Sequence, residues 1–367
     1  MKYAFSFIVI THSLIHLLGY VKAFFETESS KQMVGVSKPI GAIWLVTFIL
    51  FTIVAIQFIT DKKWFYLAFI AVFISQILVF TAWQNTKFGT IANVLILIVS
   101  LSAFETARFY EMAAQETYKI LTTVKTKNSR IVSETDLTHL PETVKKWMVN
   151  TGIIGKPKVQ SVSLKQRGTM RTKPSGNWMP FEATQSFNVL HPAFVWHTKV
   201  VIFPDLNMLG RDQLKNGKGK MLIKLAGLIP IVNISDNTKI NQGAMLRYLA
   251  ETCWFPSAAL SDYIKWQSID SNTAKATFTY KNKSVSGLFL FNDNGDFIGF
   301  EADRYYGGNK NSKLEKWQIT VENYKLFNTI KIPSQCNVTW KLKNEDFNWL
   351  NLEIIAIDYN KTQAPSL

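Results

Sequence analysis

Cysteine is nearly absent: only Cys253 and Cys336 occur in 367 residues. That excludes a disulfide framework and a cysteine-based zinc site, and leaves either one structural disulfide or two buried thiols. Histidine is scarce too, with five in all. His139, His191 and His197 have no ligand spacing with cysteine. The formal charge is +15, yet no run of five or six like charges occurs, so a nucleic-acid-binding arm is not expected. No internal repeat is visible. Gly217-Lys218-Gly219-Lys220 lacks the first glycine and the Ser/Thr of a phosphate loop. The turn at 292–296 lacks the glutamate that closes a calcium loop; Asp303 stands there instead. Ser257 has no Gly-x-Ser-x-Gly setting. No cofactor is expected from these patterns.

What is present is unevenly spread. Residues 1–105 carry only 7 Lys/Arg and 4 Asp/Glu, which leaves +12 of the formal +15 on residues 106–367. Four apolar runs fill the first part, at 3–25, 40–59, 64–83 and 88–104. Each approaches the ~20 residues needed to cross ~30 Å of hydrocarbon. Trp64 and Trp83 bracket the third run as interface anchors do. The first run is too long for a cleaved signal peptide, contains two histidines and lacks a small-residue cleavage site. A four-helix transmembrane bundle over 1–105 is therefore predicted, in a multi-pass protein of the bacterial cytoplasmic membrane. Lysines divide almost equally between the two sides, so the side of the C-terminal domain stays open.

His12 and His16 are the notable polar residues of the first run. At i and i+4 they share a helix face. They are candidate metal or haem ligands, or two neutral imidazoles that hydrogen-bond neighbouring helices. The other runs offer Gln57, Gln76 and Asn93 but no His, Cys or Asp.

Residues 106–136 read as a helical extension of the fourth run followed by a polar linker. A short helix should follow, with Pro141 and Glu142 at its start and Gly152 at its end. From Lys158 the period changes to two, and turn signals recur at 173–177, 216–219 and 292–296. Residues 137–367 are thus predicted to form a mainly antiparallel, strongly curved sheet. One segment, 242–260, breaks the pattern: Met245, Leu246, Leu249, Cys253 and Trp254 repeat at helical spacing, and Pro256 ends or kinks the helix. An apolar helix in a β domain needs a cover, and the concave face of the sheet supplies one. The predicted class is membrane α + β, with a half-barrel-like sheet wrapped around a central helix.

Several residues carry a resemblance. Leu140-Pro141, Val144 to Trp147 and Thr151 to Pro157 look like the opening of an uncharacterised bacterial domain family. Gln166-Arg167-Gly168, Trp178 to Ala183 with Gln185, Phe194-Val195-Trp196 and Gly210-Arg211-Asp212 continue it. Gln242-Gly243, Arg247-Tyr248-Leu249-Ala250-Glu251 and Trp254-Phe255-Pro256-Ser257-Ala258 complete it. This is a family of unknown function, so it supplies no catalytic residues. A curved sheet around a helix is also similar to LolA-like lipoprotein carriers, half-barrels that hold acyl chains.

Candidate ligand-binding residues follow from tryptophans and charges set in apolar runs: Trp178, Glu182, Gln185, Trp196, Arg211, Arg247, Glu251, Trp254 and Arg304. Glu251 and Glu182 are the candidate catalytic carboxylates of an alternative hydrolase reading. The favoured expectation is a membrane-anchored binding module for a lipid or other apolar ligand, active in envelope homeostasis. Its expected partners are membrane lipids and a hydrophobic small molecule. A structural or signalling membrane protein is the third reading.

Overall fold

The structure, a computed structural model, describes residues 2–25, 37–124 and 129–361. The polar break expected from residue 26 and the start of the linker at 125 lie outside the described residues. The chain divides into two compact units, 1–109 with 226–228, and 110–225 with 229–367.

The first unit is helical: α1 (Lys2–Phe25), α2 (Lys38–Ile59), α3 (Phe65–Thr81), the single turn α4 (Trp83–Thr86) and the start of α5 (Gly89–Leu121). Among the described residues three helices, α1, α2 and α5, are long and apolar enough to cross a membrane, whereas α3 has 17 residues. Four full spans are thus corrected to three plus one shorter apolar helix. The expected third run stops at Thr81 because Ala82 leaves helical geometry (φ −121°, ψ 31°) before α4 begins. α5 runs unbroken for 33 residues. No glycine or proline interrupts it after Gly89, so the apolar run and its polar extension form one helix. Gly19 lets α1 approach α2, since a Cβ there would collide with the Trp44 indole. Phe5, Val9, Phe51, Val54, Phe65, Ala68 and Ile96 form the packed interior.

In the second unit, α6 (Glu142–Thr151) follows Pro141 and ends at Gly152 in the left-handed region (φ 72°). Thirteen antiparallel strands then build one sheet. β1 (Ser161–Met170), β2 (Met179–Asn188), β3 (Ala193–Phe203), β4 (Leu206–Lys215), β5 (Lys218–Leu225) and β6 (Ile229–Ser235) meander from the centre to one edge. β7 (Ile264–Ser268), β8 (Thr273–Tyr280), β9 (Lys283–Phe291), β10 (Phe297–Tyr305), β11 (Leu314–Phe327), β12 (Ile330–Lys341) and β13 (Asp346–Tyr359) start at the other edge and return. The two meanders meet where β13 pairs with β1. Local chemistry fixes the turns. Asn216 and Gly217, both at positive φ, form the two-residue connection of β4 and β5, the geometry that matches strand twist.

The connection from β6 to β7 joins opposite edges of the sheet. It consists of α7 (Thr238–Glu251) and two 3-10 turns at Thr252–Trp254 and Pro256–Leu260. A flat thirteen-stranded sheet would be about 58 Å wide at ordinary strand spacing. α7 has 14 residues and so spans about 21 Å. Only a strongly curled sheet brings its edges within reach of this connection. α7 consequently crosses the concave face, against β4, β5, β8, β9 and β10. The helix starts four residues before the predicted segment, where the Asn237 side chain accepts from the Ile240 amide at 2.9 Å. Pro256 opens the second 3-10 turn, as its fixed φ requires.

Candidate functional site

Side chains around most of α7 are buried. A helix apolar on nearly every side needs cover on nearly every side. The cover is aromatic: Phe187, Phe194, Phe255, Phe278, Phe289, Phe297 and Phe300 are all fully buried with it. Two charged residues interrupt this surface, Arg247 and Glu251, one turn apart on α7.

Arg247 donates from Nε to Glu251 Oε1 at 2.8 Å and from Nη1 to Asp212 Oδ2 at 2.9 Å. Gln185 Nε2 donates to the other Glu251 oxygen at 2.7 Å. The guanidinium also lies 4.7 Å from the Trp196 ring and 5.2 Å from that of Phe194. Trp196 Nε1 in turn donates to Gln166 Oε1 at 2.8 Å. Gln185, Trp196 and Asp212 occupy matching positions on β2, β3 and β4, so one row of the concave face supplies three of the partners. Burial pushes the Glu251 carboxyl above the usual range, against the opposing pull of Arg247 and Gln185. Burial also works against the Arg247 cation, but Glu251 and Asp212 outweigh it and hold it protonated.

Arg304, on β10, reaches the same helix. A Cβ on Gly243 would stand 3.1 Å from its Nε. Its guanidinium lies 4.6 Å from the Trp317 ring and 5.7 Å from that of Trp340.

The predicted residues therefore separate. Gln185, Trp196, Arg247 and Glu251 form one cluster, and Arg304 on β10 packs against the same helix. Trp254 is buried just beyond α7, its carbonyl accepting from Tyr359 Oη at 2.7 Å. Trp178 is 38% exposed and stacks under Arg171 between β1 and β2. Glu182 and Arg211 lie on the opposite face. β2 and β4 each pair with β3 here without bulges, and each residue is an odd number of positions from an inward neighbour. Glu182 faces Arg167 and Lys199 across the strands, beside an open depression of about 690 Å³ that also borders Glu353. Arg211 sits 3.1 Å from Glu116 on the end of α5, which covers that face. His197 packs there too, on Tyr110, and burial pushes it down to about 4. Glu182 and Glu251 are thus on opposite sides of the sheet and cannot act as a carboxylate pair. Sequence reasoning left Asp212 and Gln166 out of the site. The signal available was their place in the quoted motifs Gln166-Arg167-Gly168 and Gly210-Arg211-Asp212.

In the helical unit, His12 Nε2 lies 2.9 Å from Asn93 Oδ1, and His16 Nε2 lies 2.9 Å from Ser75 Oγ. His16 Nδ1 donates to the His12 carbonyl at 2.8 Å. Among the described residues, no group of three or more His, Cys, Asp or Glu could hold a metal. Cys253 and Cys336 are both free and buried.

A helical unit joined to a curved antiparallel sheet with one crossing helix defines the class of architecture. Residues 130–352 match the family of unknown function DUF6544, and the chain belongs to that family. No curated protein matches the sequence. Solved structures share the outline only distantly. A DUF1329 family protein from Desulfovibrio piger has 13% identity and a TM-score of 0.32, covering 59% of this chain and 90% of its own. A domain described as an outer membrane lipoprotein-sorting protein, from Vibrio parahaemolyticus, has 10% identity and a TM-score of 0.33, covering 54% and 85%. A LolA superfamily protein from Nitrosomonas europaea has 11% identity and a TM-score of 0.29, covering 64% and 91%.

Proposed function

We propose that the protein is a membrane-anchored module whose β domain, residues 137–367, binds a lipid or similar apolar molecule beneath α7. Residues 1–105 hold it in the bacterial cytoplasmic membrane, and 106–136 make the connection. The anchor reading rests on outward-facing apolar side chains along the helices, such as Leu18, Phe73 and Phe80, which are 66%, 68% and 64% exposed. A soluble surface does not sustain so many.

The observation that carries the ligand reading is how α7 is fastened. The helix covers an aromatic interior, yet its attachment includes a buried salt-bridge cluster centred on Arg247. Such clusters contribute little net stability compared with apolar packing of the same shape. They do define one position, and they can separate when their charges find other partners. A helix meant only to fill the barrel is served as well by leucine. A helix that is displaced by a ligand and then returns to register is served better by a clasp.

Native mass spectrometry of the detergent-solubilised full chain, with extraction of the same sample, tests this. A stoichiometric apolar adduct that survives detergent removal supports the reading. A bare mass under all conditions counts against it.

A further inference from the structure

We propose that Arg304 is the anion-recognising group of this site, so that the ligand is an oxyanion carried on an apolar chain. The inference rests on the reading of the β domain as an apolar-ligand binder and names the class of ligand. It starts from a contrast between two arginines against the same helix. Each nitrogen of Arg247 has a partner: Glu251, Asp212 and, at 3.4 Å, the side-chain amide oxygen of Gln185. Arg304 has none filled: among the described residues no carboxylate lies within ion-pair distance and no acceptor takes its hydrogen bonds. The acids facing it from β4 and α7 are already committed, and Glu315, its register partner on β11, stands beyond ion-pair distance. Asp212 Oδ2 and Glu251 Oε1 face Arg247, and Glu251 Oε2 faces Gln185.

Its surroundings hold Arg304 in place without neutralising it. Trp317 and Trp340 line the guanidinium, Tyr306 packs edge-on against Trp340 at 5.1 Å, and Gly243 leaves room for it beside α7. An aromatic cage positions a cation but accepts no hydrogen bonds from it in the guanidinium plane. Arg304 itself is half-buried; beside it the buried Trp317 Nε1 has no acceptor either. Neither donor thus has a protein acceptor among the described residues. Burial lowers Arg304 to about 10, consistent with a cation short of close counter-charge. A carboxylate or phosphate oxygen supplies the acceptor that Arg304 lacks, and the planar fork of arginine suits either. The aromatic interior beneath α7 continues from this point and receives the chain.

The test uses the full chain in phosphatidylcholine nanodiscs and a diazirine-bearing palmitate as probe, with labelled peptides mapped by mass spectrometry. Competitors are palmitate, hexadecyl phosphate and hexadecanol. The expected result is labelling within residues 161–361 that palmitate or hexadecyl phosphate displaces at least about tenfold better than hexadecanol, the size of one charge-assisted hydrogen bond. Whichever anion competes better identifies the source of the oxyanion. In Arg304→Gln the labelling should persist while that preference falls to within about twofold. Arg304→Lys should restore part of it, which controls for a folding defect. Equal competition by hexadecanol in the wild type, or an unchanged preference in Arg304→Gln, overturns the inference and leaves the apolar-ligand reading standing. Absence of label from residues 161–361 overturns both.

Discussion

Replacing Arg247 by Met should destabilise the β domain strongly, and in a pH-dependent way. Met keeps much of the apolar volume but removes the cation shared by Asp212 and Glu251. Both carboxylates are then buried without their counter-charge, since Asp212 is 5% and Glu251 6% exposed. Removing one member of a buried ion pair costs about 3–5 kcal/mol. For a unit of this size that corresponds to a fall in melting temperature of roughly 6–20 °C. The sign with pH follows from Glu251. Burial already raises its pKa, and Arg247 is the main opposing influence. Without Arg247 the folded-state pKa rises further above the unfolded value. A carboxyl with a raised folded pKa is best tolerated below the unfolded pKa, and its contribution is lost as pH rises through the folded one. Arg247→Met should therefore lie closest to wild type near pH 5 and furthest from it near pH 8. Melting followed by tryptophan fluorescence reads both, and Arg247→Met with Asp212→Asn and Glu251→Gln should recover most of the loss. A loss below about 1 kcal/mol, or one equal at the two pH values, would refute the assignment of the cluster as a charged clasp.

Other outcomes follow from the same packing. Gly168→Val should abolish folding of the sheet, because any Cβ there collides with the Asn351 carbonyl where β1 meets β13; circular dichroism of the expressed variant checks it. Asn93→Leu removes the partner of His12, Ser75 and Gln76 and should cost about 1–3 kcal/mol per orphaned group, read as a lower melting temperature in detergent. Both cysteines should resist thiol reagents in the native protein and react after denaturation. Burial raises both thiols, Cys336 to about 12, and neither is exposed. Modification of either in the folded chain at neutral pH would contradict the packing described.

Much of the fold was legible because its signals are local. The apolar runs, the Asn-Gly turn at 216–217, the Pro141 and Gly152 boundaries of α6 and the helical interruption before Pro256 each follow from short-range chemistry. The limits of α3 were not legible, since Ala82 and Trp83 look as apolar as the helix they follow. β6, β7 and β8 were also hidden. β6 carries Pro230 and alternates weakly, β7 has five residues, and β8 mixes Thr, Lys and Ala. These strands include both edges of the sheet, where pairing rather than pattern decides. Within the candidate site, Gln185, Trp196, Arg247 and Glu251 lie together among aromatics, whereas Trp178, Glu182 and Arg211 lie elsewhere. The face of each residue did not follow from type: Glu182 and Gln185 are three apart and point oppositely. Only strand register separates them. The partner of Asp212 was hidden for a related reason. Asp212 is adjacent in sequence to Arg211, yet its partner is Arg247, 35 residues away on the crossing helix.

The central claim is that an apolar ligand enters between α7 and the concave face. The most direct measurement is residue-level mapping of a diazirine fatty-acid probe on the full chain in nanodiscs. The account predicts insertion at residues facing that space, such as Met245, Phe194 and Phe300, and stronger labelling there in Arg247→Met if the variant is folded. Labelling confined to residues 2–121, with none on α7 or the inner face of the sheet, would contradict it.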